Sequence, residues 1–207
     1  TSVTSFTLQD SAPASSGKSY PLTGGTVSSV DSTQITITLS NADLNAIKVI
    51  DGLAKNAGNS YLRFNAGAVK DMTGVNGIAA LADGSAKAVT IYTNDTTPPT
   101  ASSATYNANN NNRQLVITFN EPIDADPVGN VVLSGIYIRA SGASTGGVVL
   151  TGASITAATA TAITITTTEQ QRLDIQALAT RELDIAAGAF KDAAGIPIAA
   201  DNDNAIT

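Results

Sequence analysis

The residues of this chain best suited to chemistry are four acids near one junction. They are Asp95, and then Glu121, Asp124 and Asp126 in the stretch FNEPIDAD. Calcium takes about six to eight oxygen ligands from carboxylates, amides and backbone carbonyls. Asp95 stands in a linker and the other three follow a candidate strand, so a β-sandwich could bring them to one end of a domain. They are the candidate calcium ligands. No EF-hand loop or glycine-rich calcium repeat accompanies them, and solvated acidic loops are the default reading. Asp71 and Asp192 occupy equivalent positions of a repeat described below. There an aspartate caps the following turn by accepting from backbone amides two residues on, a reading we prefer to metal ligation. Glu121, Glu169 and Glu182, with neighbouring aspartates, could supply the paired carboxylates of a glycosidase. Few aromatics exist to stack a sugar ring, and no pair is marked by its context, so no catalytic activity is read from the sequence.

Composition removes other chemistries. With no Cys and no His, thiol nucleophiles, Ser-His-Asp triads, zinc sites and imidazole acid–base catalysis are excluded. The formal net charge is −6 and the 11 basic residues are scattered. That argues against nucleic acid or an anionic membrane surface as a partner. No apolar run approaches the roughly 20 residues of a spanning helix, so membrane insertion is not expected. The pI near 4.4 and the abundance of Thr, Ser, Ala, Asn, Gly and Asp suit a secreted or surface-exposed protein. No signal peptide is visible, so an exported form would be a mature chain or a fragment. Asn94-Asp95-Thr96 is an N-glycosylation sequon, with Asn94 the acceptor if the source uses that pathway.

The elements that must position these residues are written twice. LRFNAGAVKDMTG (62–74) and LDIAAGAFKDAAG (183–195) match at seven of thirteen positions without a gap. The likeness spreads outward: YPLTGGTVSSVDSTQITITL (20–39) aligns with VVLTGASITAATATAITITT (148–167). Such periodicity outranks any local motif and signals a tandem duplication. Two domains are therefore expected, 1–96 and 97–207, joined at NDTTPPT, where two prolines hold the chain extended.

Alternation of apolar residues with threonine in QITITL, LVITF and AITITT reads as half-buried antiparallel strand. VTSFTL (3–8), LTGGTVSSV, YLRFNAGAV and AKAVTIYT are also read as strands. SNADLNAIKVIDGL offers Ser40 or Asn41 as a helix cap, with Leu44, Ile47 and Val49 or Ile50 at helical spacing, and EQQRLDIQAL is its counterpart. Residues 1–8 align with 133–140, and nothing in the first copy corresponds to 101–128. The first domain is thus expected to lack its first strand or strands. Either the sequence begins inside a domain, or another polypeptide adds the missing strand to the sheet.

The series LTGGTV, ITITLSNADLNAIK, YLRFNAGAVKDMTG, DTTPPT and LVITFNEPID resembles the immunoglobulin-like repeats of very large secreted surface proteins. These include swimming-motility (SwmB-type), S-layer, adhesin and surface-filament repeats. The resemblance implies an all-β chain of tandem immunoglobulin-like β-sandwiches outside the cell, sometimes with calcium at the junctions. The expected role is a structural protomer or repeat segment of a filament, sheath or S-layer that self-associates with neighbouring subunits. The alternative is a monomeric adhesin stalk or carbohydrate-binding module with a glycan ligand.

Overall fold

A computed structural model describes residues 1–28, 32–125 and 128–207. The chain divides into two compact units, Thr1–Asp95 and Thr96–Thr207. It is an all-β protein of four antiparallel sheets, with two α-helices among the described residues.

In the first unit the strands are β1 (Phe6–Gln9), β2 (Ser19–Pro21), β3 (Gly25–Val27), β4 (Ile37–Leu39), β5 (Tyr61–Phe64) and β6 (Lys87–Ala88). One sheet runs β2-β1-β5-β6, and β3 and β4 form a separate pair. Helix α1 (Asn41–Lys48) follows β4 directly. Its N-cap is Ser40, whose hydroxyl accepts from the Asp43 amide at 3.1 Å, satisfying one of the donors that a helix start leaves orphaned. Of the apolar residues expected on its inner face, Ile47 is buried and Ile50 packs against the core, whereas Leu44 and Val49 are exposed. Among the described residues, five buried side chains make this core: Phe6, Leu22, Ile47, Leu53 and Ala68.

The second unit contains β7 (Ala101–Asn107), β8 (Gln114–Phe119), β9 (Ile136–Arg139), β10 (Val148–Val149), β11 (Ser154–Ala158), β12 (Ala162–Thr166), α2 (Glu169–Ala177), β13 (Glu182–Ile185) and β14 (Asp201–Ala205). Its sheets run β10-β9-β13-β14 and β11-β12-β8-β7. Alternation along β8 and β12 sends Leu115, Ile117, Phe119, Ile163 and Ile165 inward, where they join Ile136, Ile138, Leu183 and Ile185 of the other sheet. Both sheets therefore feed one core, a sandwich-like arrangement in which period-two patterning buries one face of each. Phe119 and Phe190 meet edge to face at 4.8 Å within it.

Three expectations from the sequence need correction. Val3–Ser5 is a 3₁₀ turn rather than strand, and β1 begins at Phe6. The register sets Phe6 opposite Phe64 and Ile136 opposite Ile185, so 3–9 corresponds to 133–139 and the alignment of 1–8 with 133–140 is two residues out. Strand in AKAVTIYT is confined to Lys87–Ala88, and Ile91 stands 85% exposed. A chain segment with no strand beside it has nowhere to place its ladder hydrogen bonds.

Candidate functional site

The acids fall into sites with different degrees of internal satisfaction. After β8 the chain passes through Glu121 and is stitched to the turn 191–196: the Asp124 amide donates to the Lys191 carbonyl at 2.8 Å and the Ala193 amide to the Pro122 carbonyl at 3.1 Å. This brings carboxylate oxygens of Glu121 and Asp192 within 4.8 Å of each other. Both residues are buried, Asp192 to 1% exposure. Asp192 Oδ1 accepts from the Ala194 and Ile196 amides at 2.8 and 2.7 Å, which is the turn cap expected of it. Its Oδ2 is also buried and has no hydrogen-bond partner. A buried carboxylate oxygen left without a donor or cation carries a large desolvation cost.

Asp124 and Asp95 have partners of their own. Asp124 Oδ2 accepts from Asn130 Nδ2 at 2.9 Å. Asp95 belongs to the first unit, where it pairs with Lys48 at 2.6 Å. Asp126 lies outside the described residues. Asn94 is exposed, as a glycan acceptor must be.

A second group was not anticipated. Glu182, Asp184 and Asp203 offer carboxylate oxygens within 4.8 Å of one another. The alternation Glu182-Leu183-Asp184 on β13 was the available signal, since it puts both acids on the face opposite Leu183 and Ile185. This group already holds a cation. Arg139, stacked 4.5 Å over the Tyr137 ring, pairs with Asp184. The Gly142 amide reaches both Glu182 oxygens at 3.0 and 2.9 Å, and the Asp203 amide donates to Asp184 Oδ1 at 3.0 Å. Its chemistry is that of a paired structural cluster.

In the first unit Asp43 is fully buried at the start of α1. It accepts from the Thr23 and Gly24 amides at 2.9 and 3.0 Å, from the Tyr20 hydroxyl at 3.0 Å and from the Thr23 hydroxyl. Burial opposes its charge, but these hydrogen bonds outweigh burial and hold its pKa below the usual carboxylate range. Asp71 is exposed, and the Thr73 hydroxyl and Asn76 amide on its carboxylate lower its pKa to about 2. It caps its turn as its counterpart Asp192 does.

The remaining feature that could engage a ligand is backbone. In the second unit β12 is flanked by β11 and β8, whereas β4 pairs only with β3. Among the described residues no strand lies along its other edge. An unpaired strand edge is a template for another strand. No family model, no curated protein and no solved structure matches this chain.

Proposed function

We propose that the chain is a structural segment of an extracellular filament, sheath or surface layer, built of two immunoglobulin-like β-sandwich repeats. The observation that carries this reading is a duplicated unit completed unequally. The second unit closes a core between two four-stranded sheets, while among the described residues of the first β4 pairs only with β3. A repeat that completes itself serves as a rigid spacer, and one that takes a strand from a neighbouring subunit serves as a joint.

Calcium is the ion this reading assigns to Glu121 and Asp192. The fit rests on Asp192 Oδ2, buried without a donor beside a second carboxylate. A hard divalent cation would neutralise both oxygens, with nearby carbonyls and water filling its remaining positions.

Imaging native surface material labelled with an antibody to this chain, with and without a calcium chelator, tests the reading. Label along ordered filaments or lattices is expected. Label on dispersed, elongated single particles in both conditions would overturn it and leave an adhesin stalk.

A further inference from the structure

We propose that the first unit modifies itself at Asn76. The side-chain amide is lost through a succinimide formed with Gly77, and the turn closed by Asp71 gains an acid as the protein ages. The inference is independent of the polymer reading above.

Asparagine loses ammonia when the backbone nitrogen of the following residue attacks its side-chain carbonyl. Glycine makes that attack easiest, because without a Cβ its nitrogen is uncrowded and its backbone turns freely toward the side chain. Of the asparagines in the chain, Asn76 alone is followed by glycine.

The structure leaves both partners available. Asn76 and Gly77 are exposed, and Gly77 stands opposite Lys70. The bonds flanking this pair run from the Asp71 amide to the Asn76 carbonyl at 2.9 Å and from the Ile78 amide to the Val69 carbonyl at 2.8 Å. Residues between two such bonds form a non-hydrogen-bonded pair, whose own amides point away from the partner strand. Accordingly the Gly77 amide donates to no acceptor among the described residues. The Asn76 side chain is held by Nδ2, which donates to Asp71 Oδ2 at 2.7 Å, and Nδ2 is the atom that leaves.

The second unit has the same turn without the chemistry. There the Asp192 amide donates to the Ile196 carbonyl at 3.0 Å and Lys191 stands opposite Pro197. Ile196 and Pro197 therefore occupy the places of Asn76 and Gly77. Isoleucine has no amide to lose, and proline has no N–H with which to attack. One copy of the duplicated turn is reactive and the other inert.

The step balances with water alone. The Gly77 nitrogen gives up its proton and bonds to Asn76 Cγ, and the Cγ–Nδ2 bond breaks so that Nδ2 departs with that proton as ammonia. Water opens the ring at either carbonyl, giving aspartate, or isoaspartate with the chain running through the former side chain. Either product sets an anionic oxygen where Asp71 Oδ2 accepted a hydrogen bond, and like charges so close repel. Isoaspartate also lengthens the backbone by a methylene, which displaces the Asn76 carbonyl from the Asp71 amide. Gly77 has little room to absorb that shift, since a Cβ built on it would stand 2.9 Å from Gly67 Cα. The loosening reaches Ile78, whose amide and carbonyl bond Val69 and Gly67.

The test is the full chain aged in warm, mildly alkaline buffer, then digested in water enriched in heavy oxygen so that conversion during digestion is marked and subtracted. Peptide mass spectrometry, with fragmentation that separates aspartate from isoaspartate, is the readout. Asn76 should convert ahead of every other asparagine, with isoaspartate the larger product, and isoelectric focusing should show a species more negative than the parent's formal −6. N76Q, which can close only a larger and slower ring, should keep its amide. The aged chain and N76D should both show a lower unfolding midpoint for the first unit and an unchanged one for the second. Conversion no faster than that of the exposed Asn94 or Asn202 overturns the inference. So does aspartate without isoaspartate, which is direct hydrolysis with no ring. Conversion that requires denaturant also overturns it, because the folded turn would then forbid ring closure.

Discussion

Ile163 and Ile35 occupy the same place in the same ITIT sequence, yet the first is fully buried and the second 39% exposed. The strands differ in their neighbours rather than in their residues. β12 has β8 along its second edge and β4 has none among the described residues. Among the described residues, eighteen buried side chains gather in the second core and five in the first. Burial at these positions is thus set by what pairs with the strand, and alternation in sequence is only the capacity to be buried.

The helix starts extend the comparison. Asp43 and Gln171 are both the third residue of their helix, and both tie the helix to the preceding Leu-Thr-Gly loop. Asp43 accepts from the Thr23 and Gly24 amides, whereas Gln171 Nε2 donates to the Val149 and Thr151 carbonyls at 2.9 Å each. The same contact survives with its polarity reversed because the loop turns amides inward in one copy and carbonyls in the other. Complementarity was kept and the residue was not.

The sharpest way to break the comparison is a matched pair of core truncations. I163A should cost about 2–5 kcal/mol, the range for removing a fully buried aliphatic side chain from a closed core. I35A should cost less than about 1 kcal/mol, as a surface change does. Calorimetric unfolding of both variants checks this, and equal losses would mean that the first core is closed. At the helix starts, D43A should destabilise the first unit by about 1–3 kcal/mol, since it removes the buried carboxylate to which the Thr23 and Gly24 amides and the Tyr20 and Thr23 hydroxyls donate. Q171E should destabilise the second unit by about 1–3 kcal/mol by setting a carboxylate against two carbonyls. The reversed-polarity account fails if either substitution is silent in denaturant melts.

Smaller effects sharpen the acid sites. D192N retains the oxygen that accepts from Ala194 and Ile196 and removes a charge beside Glu121. It should be neutral or slightly stabilising without calcium, and the rise in melting temperature expected when calcium is added to the parent chain should be lost in it. A calcium-dependent rise that persists in D192N would place the ion elsewhere. The smallest effect is at Asp71. Its folded-state pKa of about 2 lies below the ordinary 3.8, so its stabilising contribution is present above about pH 4 and disappears as pH falls through about 2. D71N should flatten that part of the first unit's stability profile, as acid titration of the melting temperature would show.

Much of this was legible beforehand because it is local or repeated. The alternating strands, the Ser40 cap and the turn-capping of Asp71 and Asp192 depend on residues a few positions apart, and the duplication shows as one pattern written twice. What was not legible depends on distant partners. Val3–Ser5 alternates like a strand but turns, and β1 then buries Thr7 and Gln9 as well as Phe6. Gln9 is held by its side chain, which donates to the Asp83 carbonyl at 3.0 Å. The approach of Asp192 to Glu121 crosses 71 positions of sequence (192 less 121), and local spacing pointed instead to Asp124, which Asn130 engages. Asp184 was hidden for the same reason, since its counter-ion Arg139 comes from the adjacent strand.

Residue-resolved amide hydrogen exchange on the dilute chain tests the central claim most directly. The amides of Ile163 and Ile165, bonded to β8, should exchange only with opening of the second core, while those of Ile35 and Ile37 should exchange at rates close to an unprotected strand edge. Equal, strong protection at all four positions in the dilute chain would contradict the account, because it would require a strand on the open side of β4.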